Sequence, residues 1–233
     1  MTSTVAGLPK YVVLKSKSTG KYLHYLWNDE FSDYYKHMGS KRDLDPVNPF
    51  VKLEVVPSTS DPTLVHLICS YNNKFIQLVS NGGVSWLSAT ADSADEDRTK
   101  ETSTLFQPIF PADEPNTVEF LHVQTDRNVR LFVNKDYDDK INNVACAYSK
   151  DGGSAINRFE FAAWVSYEEV IKAKDDEIEK LKAQAAAAGG DDDESLSADA
   201  IVEELRKDIR EQNDQLEAAY NEIDALKAAA KGN

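Results

Sequence analysis

The chain has 233 residues, 41% of them hydrophobic, and a formal net charge of −14. That is enough apolar content for a core, and enough length for one large domain or a domain with an appendage. The acidity argues against nucleic acid or an anionic membrane surface as partner, because both call for a basic face.

The charge is uneven: 17 Lys and Arg face 21 Asp and Glu in residues 1–165, against 9 and 19 beyond. "MTSTVAGLPK" has no basic run leading into an apolar one, so no signal peptide is expected there. No apolar stretch approaches the roughly 20 residues of a membrane span. Cys69 and Cys146 are too few for a disulfide framework and read as small buried apolar residues. A cytoplasmic or nucleocytoplasmic protein with reduced thiols is expected.

The first element is "YVVLKSKSTGKYLHYLW", Tyr11 to Trp27: strand, tight polar turn, strand. The phrase returns 53 residues later as "LVHLICSYNNKFIQLVS" and again as "VEFLHVQTDRNVRLFV". The 53-residue step aligns Val12, Val65 and Val118; Leu14, Leu67 and Phe120; Leu23, Ile76 and Val129; Tyr25, Leu78 and Leu131. Leu26, Val79 and Phe132 align too, as do Phe31, Val84 and Tyr137, then Met38, Ala91 and Val144. Leu53, Phe106 and Phe159 close the unit beside Val56, Ile109 and Ala162. The register has no gaps, so the step reads as an internal threefold repeat over about residues 8 to 166. Inside each copy the apolar period is two, and Gly, Asn and Asp punctuate the runs: Thr19-Gly20, Asn72-Asn73, Asn81-Gly82-Gly83, Asp126 to Asn128, Asp151-Gly152-Gly153. The expected fold is an all-β β-trefoil. A sandwich is the alternative, but it gives no reason for a threefold period.

After Trp164 the period shifts to about 3.5. Ser166 and Glu169 form a capping box, with Val165 and Val170 as a hydrophobic staple. A first tail helix is expected over 166–188, with Ile171, Ile178, Leu181, Ala185 and Ala188 on one stripe and Gly189-Gly190 ending it. Residues 189–197 read as an acidic, Gly-rich linker. A second helix over 198–231 carries Val202, Leu205, Ile209, Gln212, Leu216, Ala219, Ile223, Leu226 and Ala230 at a/d heptad spacing. So narrow a stripe calls for a partner helix. A helical hairpin with the first helix is open. The unequal lengths favour an intermolecular coiled coil, hence a homo-oligomer.

The blocks "GLPKYVVLKSKSTGKYLHY", "LVHLICSYNNKFIQLVS", "WLSATADSADEDRTKETSTLFQPIF" and "VEFLHVQ" resemble the agglutinin domain of amaranthin-type plant lectins over residues 7–165. The resemblance implies a β-trefoil and carbohydrate binding, with the Gal-β1,3-GalNAc disaccharide as the best-known ligand. In amaranthin two such domains stand in tandem, and the sugar sites of its dimer lie between domains of different subunits. The present sequence carries one such domain, and Ser85 stands where amaranthin has an aromatic residue before the shared Trp.

A sugar presents an apolar C–H face and a fringe of hydroxyls. It asks for an exposed ring plus planar side chains that donate and accept. "SNGGVSW" offers both: Asn81 for hydroxyls, Gly82 with Gly83 for close backbone approach, Ser85, and Trp86 for stacking. Trp86 reads equally as a core residue opening the strand "WLSATA". Tyr71, Asn72 and Asn73 in the preceding turn are further candidates, with plain turn chemistry as the bland reading. Tyr25, Trp27, Tyr34, Tyr35 and His37 form another aromatic candidate face that reads more readily as packing, and Trp164 reads as core.

No catalytic or metal motif appears. His24, His37, His66 and His122 are scattered, and "ADSADEDRTKE" and "KDYDDK" lack calcium-loop spacing. The expectation is a non-enzyme without cofactor: a lectin for galactose or GalNAc-type glycans, made multivalent by its tail. By resemblance its setting is plant defence or stress signalling. The rival is a protein-interaction adaptor in which the trefoil is a scaffold and the tail docks a partner.

Overall fold

The computed structural model describes residues 4–27, 36–134, 141–149 and 155–187, together with Lys207. The chain divides into two units, Met1–Val165 and Ser166–Asn233.

The first unit opens with a small hairpin of β1 (Thr4–Val5) and β2 (Leu8–Pro9). Three four-strand repeats follow. The first is β3 (Tyr11–Ser16), β4 (His24–Tyr25), β5 (Met38–Gly39) and β6 (Leu53–Pro57). The second is β7 (Val65–Cys69), β8 (Lys74–Asn81), β9 (Val84–Ala91) and β10 (Phe106–Ile109). The third is β11 (Thr117–His122), β12 (Arg127–Leu131), β13 (Ala145–Ser149) and β14 (Phe159–Ala163).

The first and last strand of each repeat close a ring: β3 to β6, β6 to β7, β7 to β10, β10 to β11, β11 to β14, and β14 back to β3. The pairs obey the 53-residue step. Val12 faces Leu53, Val65 faces Phe106 and Val118 faces Phe159. Across the next seam Leu53 meets Cys69, Phe106 meets His122 and Phe159 meets Ser16. The two middle strands of each repeat form the hairpins β4–β5, β8–β9 and β12–β13. Six barrel strands and three hairpins with threefold repetition are a β-trefoil.

The cause lies in the pleat. Alternate residues of a barrel strand point inward, so one inward column per repeat must be apolar in all three copies. Val12, Val65, Val118, Leu14, Leu67, Phe120, Leu53, Phe106 and Phe159 are all buried. Not every aligned column fills the core throughout. Val79 and Ile109 are exposed, because they follow inward neighbours, Leu78 and Pro108, and take the outer face. The first turns repeat as well. Gly20, Asn73 and Asp126 hold φ of 70°, 55° and 52°, and each N–H donates to the carbonyl four residues back, at Ser16, Cys69 and His122. Left-handed backbone suits Gly best and Asn or Asp next, which is why this column is never β-branched.

In the second unit α1 spans Tyr167–Ala187. Its capping box is formed: the Ser166 N–H donates to Glu169 Oε2 at 2.7 Å and the Glu169 N–H donates to Ser166 Oγ at 3.2 Å. On the expected stripe Ile178 is buried and Leu181 exposed. The linker over 189–197 and, apart from Lys207, the second helix over 198–231 with its heptads lie outside the described residues. So do Phe31, Tyr34, Tyr35, Tyr137 and the Asp151–Gly153 turn.

Candidate functional site

The tip of the β8–β9 hairpin is built by its two glycines. Gly82 and Gly83 hold φ of 62° and 78°, the double positive-φ turn that matches strand twist and that glycine enters without strain. The turn fixes the register Asn81 to Val84, Ser80 to Ser85 and Val79 to Trp86. Asn81 is thereby exposed at the tip, and its side-chain amide makes no hydrogen bond among the described residues.

Behind the tip, Ser80 and Ser85 place their hydroxyls 3.1 Å apart, and both donate to Glu101 Oε1, Ser85 at 3.0 Å. Glu101 comes from the loop between β9 and β10, so the cluster is not local in sequence. Its carboxyl is held below the usual range by the Ser80 bond first and the Ser85 bond second, with Arg127 and His122 adding to the field. The tip therefore combines a stable carboxylate acceptor with two hydroxyls and an amide that both donates and accepts.

Trp86 is placed differently from the expectation of an open stacking ring. It is 2% exposed, packed with Leu26, Ile141, Val144 and Cys146 and covered by Val84 and Phe132. Its ring lies 5.3 Å from that of Phe132 and 6.3 Å from that of His37, and its Nε1–H donates to the Asn81 carbonyl at 3.2 Å. The reason is topological: β13 pairs with β9 on the side away from β8, at Cys146 with Trp86 and Ala147 with Ser85. That pairing buries the strand, and the indole braces the tip from inside rather than facing solvent. Ser85, also buried, acts through Glu101.

Tyr71, Asn72 and Asn73 are not part of this cluster. Tyr71 packs 4.2 Å from Phe50 and 5.4 Å from Tyr25, and Phe50 stacks at 3.8 Å on Trp27, whose ring lies under Arg42. Asn72 donates to the Ala89 carbonyl at 2.9 Å and accepts from the Lys74 N–H, so it secures its own turn. Asn73 supplies the left-handed turn residue. His37 is buried and bonded to Ser88. Trp164 is half-buried beneath Lys52 Nζ at 3.7 Å.

Two residues, one at the tip and one on the adjoining strand, escaped the sequence reading. Glu101 sits in an acidic loop that reads as solvated. Tyr148 follows Ala147, the partner of Ser85, and is 54% exposed with Arg130 over its ring at 5.2 Å. Its ring is open on β13, the strand beside β9, one residue on from the partner of Ser85. Its signal was an aromatic at the end of "ACAYS", just before a Gly-rich turn.

Among the described residues no group of His, Cys, Asp and Glu could hold a metal ion, and no helix is long and apolar enough to cross a membrane.

A family model described as the agglutinin domain matches residues 6–152. No curated protein matches the chain in sequence. Among solved structures, a salivary protein from Culex quiquefasciatus of the Cysteine and Tryptophan-Rich family is 8% identical with a TM-score of 0.50, covering 68% of this chain and 96% of that one. A ricin B-like lectin from Macrolepiota procera, solved in complex with lactose, is 9% identical with a TM-score of 0.48, covering 70% and 99%. The designed threefold-symmetric protein ThreeFoil is 8% identical with a TM-score of 0.47, covering 66% and 98%. At these identities the likeness is one of fold alone.

Proposed function

This chain belongs to the agglutinin-domain family, and from that premise we propose that its trefoil binds galactose or GalNAc-type glycans at the β8–β9 tip, with Gal-β1,3-GalNAc as the leading candidate. The observation carrying the reading is the Glu101 carboxylate, kept ionised by Ser80 and Ser85 beside the open amide of Asn81. An ionised acceptor takes a sugar O–H in a charge-assisted bond, and Asn81 serves a vicinal pair of hydroxyls. For the apolar face we assign Tyr148, the exposed ring on the adjoining strand, in place of the buried Trp86. The arrangement is shallow, so one site binds weakly, and gathering several chains through the tail heptads raises avidity without new contacts.

A glycan array probed with the full chain tests this, repeated with Glu101→Gln and Tyr148→Ala. Removing the charge-assisted bond weakens binding by about tenfold or more. Signal on terminal galactose or GalNAc that both substitutions diminish supports the site. Undiminished signal relocates it. A blank array from folded protein turns attention to the tail as a protein-docking element.

A further inference from the structure

A cavity of about 430 Å³ opens where the third repeat meets the first, away from the hairpin tip. Its floor is the β14–β3 pairing, with Lys15 opposite Glu160. One wall is the Asp113–Thr117 segment, the other Tyr22, which is bridged to Lys15. The 53-residue step shows how this seam differs from its two counterparts. Lys15 stands where they have Ile68 and Leu121, and Tyr22 where they have Phe75 and Asn128. Lys15 thus brings an amine to a position that is apolar in both counterparts.

The walls are braced independently of any ligand. The Asn116 carbonyl accepts from the Phe161 N–H at 2.8 Å, with Asn116 itself at φ 58°. Glu114 is held by Lys17 at 2.7 Å and Arg158 at 2.6 Å. Lys15 Nζ lies over the Tyr22 ring, 5.8 Å from its centroid, and hydrogen-bonding capacity remains in the lining. Lys15 Nζ, the Tyr22 hydroxyl and the Asn116 side-chain amide make no hydrogen bond among the described residues. Asp113 and Glu160 meet cations only at 3.8 and 3.9 Å.

That inventory selects a chemistry. An anion would face three carboxylates, and a cation would face Lys15, Lys17 and Arg158. A neutral hydroxyl donates to Asp113 and Glu160, accepts from Lys15, and does either with Tyr22 and Asn116. The rings of Tyr22 and Phe161 offer apolar surface to C–H groups. The volume lies at the low end of the roughly 300–1,000 Å³ of ligand pockets, the size of a small saccharide.

We propose that the seam between the first and third repeats is a second saccharide site, independent of the hairpin tip and taking one or two neutral pyranose rings. The proposal rests on the carbohydrate-binding reading above. It makes each trefoil bivalent by itself, so cross-linking does not wait on the tail.

The test is amide chemical-shift mapping of the full chain titrated with galactose, N-acetylgalactosamine, lactose, glucose and mannose, each to the order of tens of millimolar. Two separate groups of shifted amides are expected, one around residues 80–86 and 101 and one around 15–22, 113–117 and 160–162. The exposed pair of substitutions Asp113→Asn and Glu160→Gln should weaken the second group by about tenfold and leave the first unchanged. Glu101→Gln should do the reverse. Tyr22→Ser repeats the seam test through the ring. Shifts confined to the tip, or seam shifts that neither seam variant alters, overturn the second site and leave the lectin reading standing. No shifts with any of the five sugars overturn both.

Discussion

Truncating Trp86 separates a brace from a sugar platform. The indole is enclosed by Leu26, Ile141, Val144 and Cys146. Trp86→Ala therefore leaves a cavity and destabilises the domain by about 3–5 kcal/mol. At about 2–4 °C per kcal/mol for a unit of this size, the melting midpoint falls on the order of 10 °C. Trp86→Phe keeps a ring in the same space and loses chiefly the bond to the Asn81 carbonyl, which water can replace at the exposed tip. Its cost is about 1–2 kcal/mol, or roughly 2–8 °C. Calorimetry gives both midpoints, and sugar titration of the Phe variant well below its midpoint gives the affinity. The enclosed ring predicts affinity within about twofold of the parent, an effect too small to reflect a lost contact. An alanine variant that melts with the parent refutes the packing. A stably folded Phe variant whose binding has dropped tenfold refutes the assignment of the ring to the interior.

Three further outcomes follow from other sites. His24 and His37 are buried, and burial lowers each pKa from 6.5 to about 4. The unfolded chain therefore binds more protons between those values, so stability is full above pH 6.5 and falls as pH drops towards 4. The loss approaches about 3 kcal/mol per histidine. Urea midpoints measured from pH 7.5 down to 4.5 should track that slope, and the double variant His24→Gln, His37→Gln should flatten it. Gly20 sits at φ 70° with no atom within 4 Å of an added Cβ, so Gly20→Ala costs about 1–2 kcal/mol of backbone strain alone, and Gly20→Asn less. Equal urea midpoints for the parent and the Ala variant would contradict the left-handed turn. Burial pushes the Cys69 thiol up to about 11 and that of Cys146 up to about 12. Neither should react with a thiol reagent at pH 8 until denaturant is added, and prompt reaction in the native state would show an open path to one of them.

The barrel was legible because its constraint is written three times. Val12, Val65 and Val118 must each face a large apolar partner at Leu53, Phe106 and Phe159, and the matching turns must accept positive φ at Gly20, Asn73 and Asp126. Each requirement recurs at one spacing, so it shows in the sequence without any knowledge of contacts. The tip was half legible. Gly82-Gly83 announces its own turn, but the orientation of Trp86 depends on β13 pairing with β9 some 60 residues away. Five consecutive residues of β9, Ser85 to Ala89, are buried, so strand alternation could not tell an inward ring from an outward one. Glu101 and Tyr148 were missed for the same reason, since only the fold brings Glu101 to the tip and the strand of Tyr148 beside it. The seam cavity shows only as a departure from the repeat, where Lys15 breaks an otherwise apolar column.

Ring closure has a consequence during synthesis. β3 is the first barrel strand to be made and β14 the last, and the two are partners, with Val12 opposite Ala163. At about 5–20 residues per second, roughly 150 residues of translation separate them, on the order of ten seconds. For that interval one edge of "YVVLKS" has no strand to pair with, and the inward faces of all three repeats are waiting on a sixth strand. A nascent chain of this design is most open to off-pathway pairing just before it is complete. Chaperone occupancy measured along translation should peak ahead of residue 163 and fall once β14 has emerged.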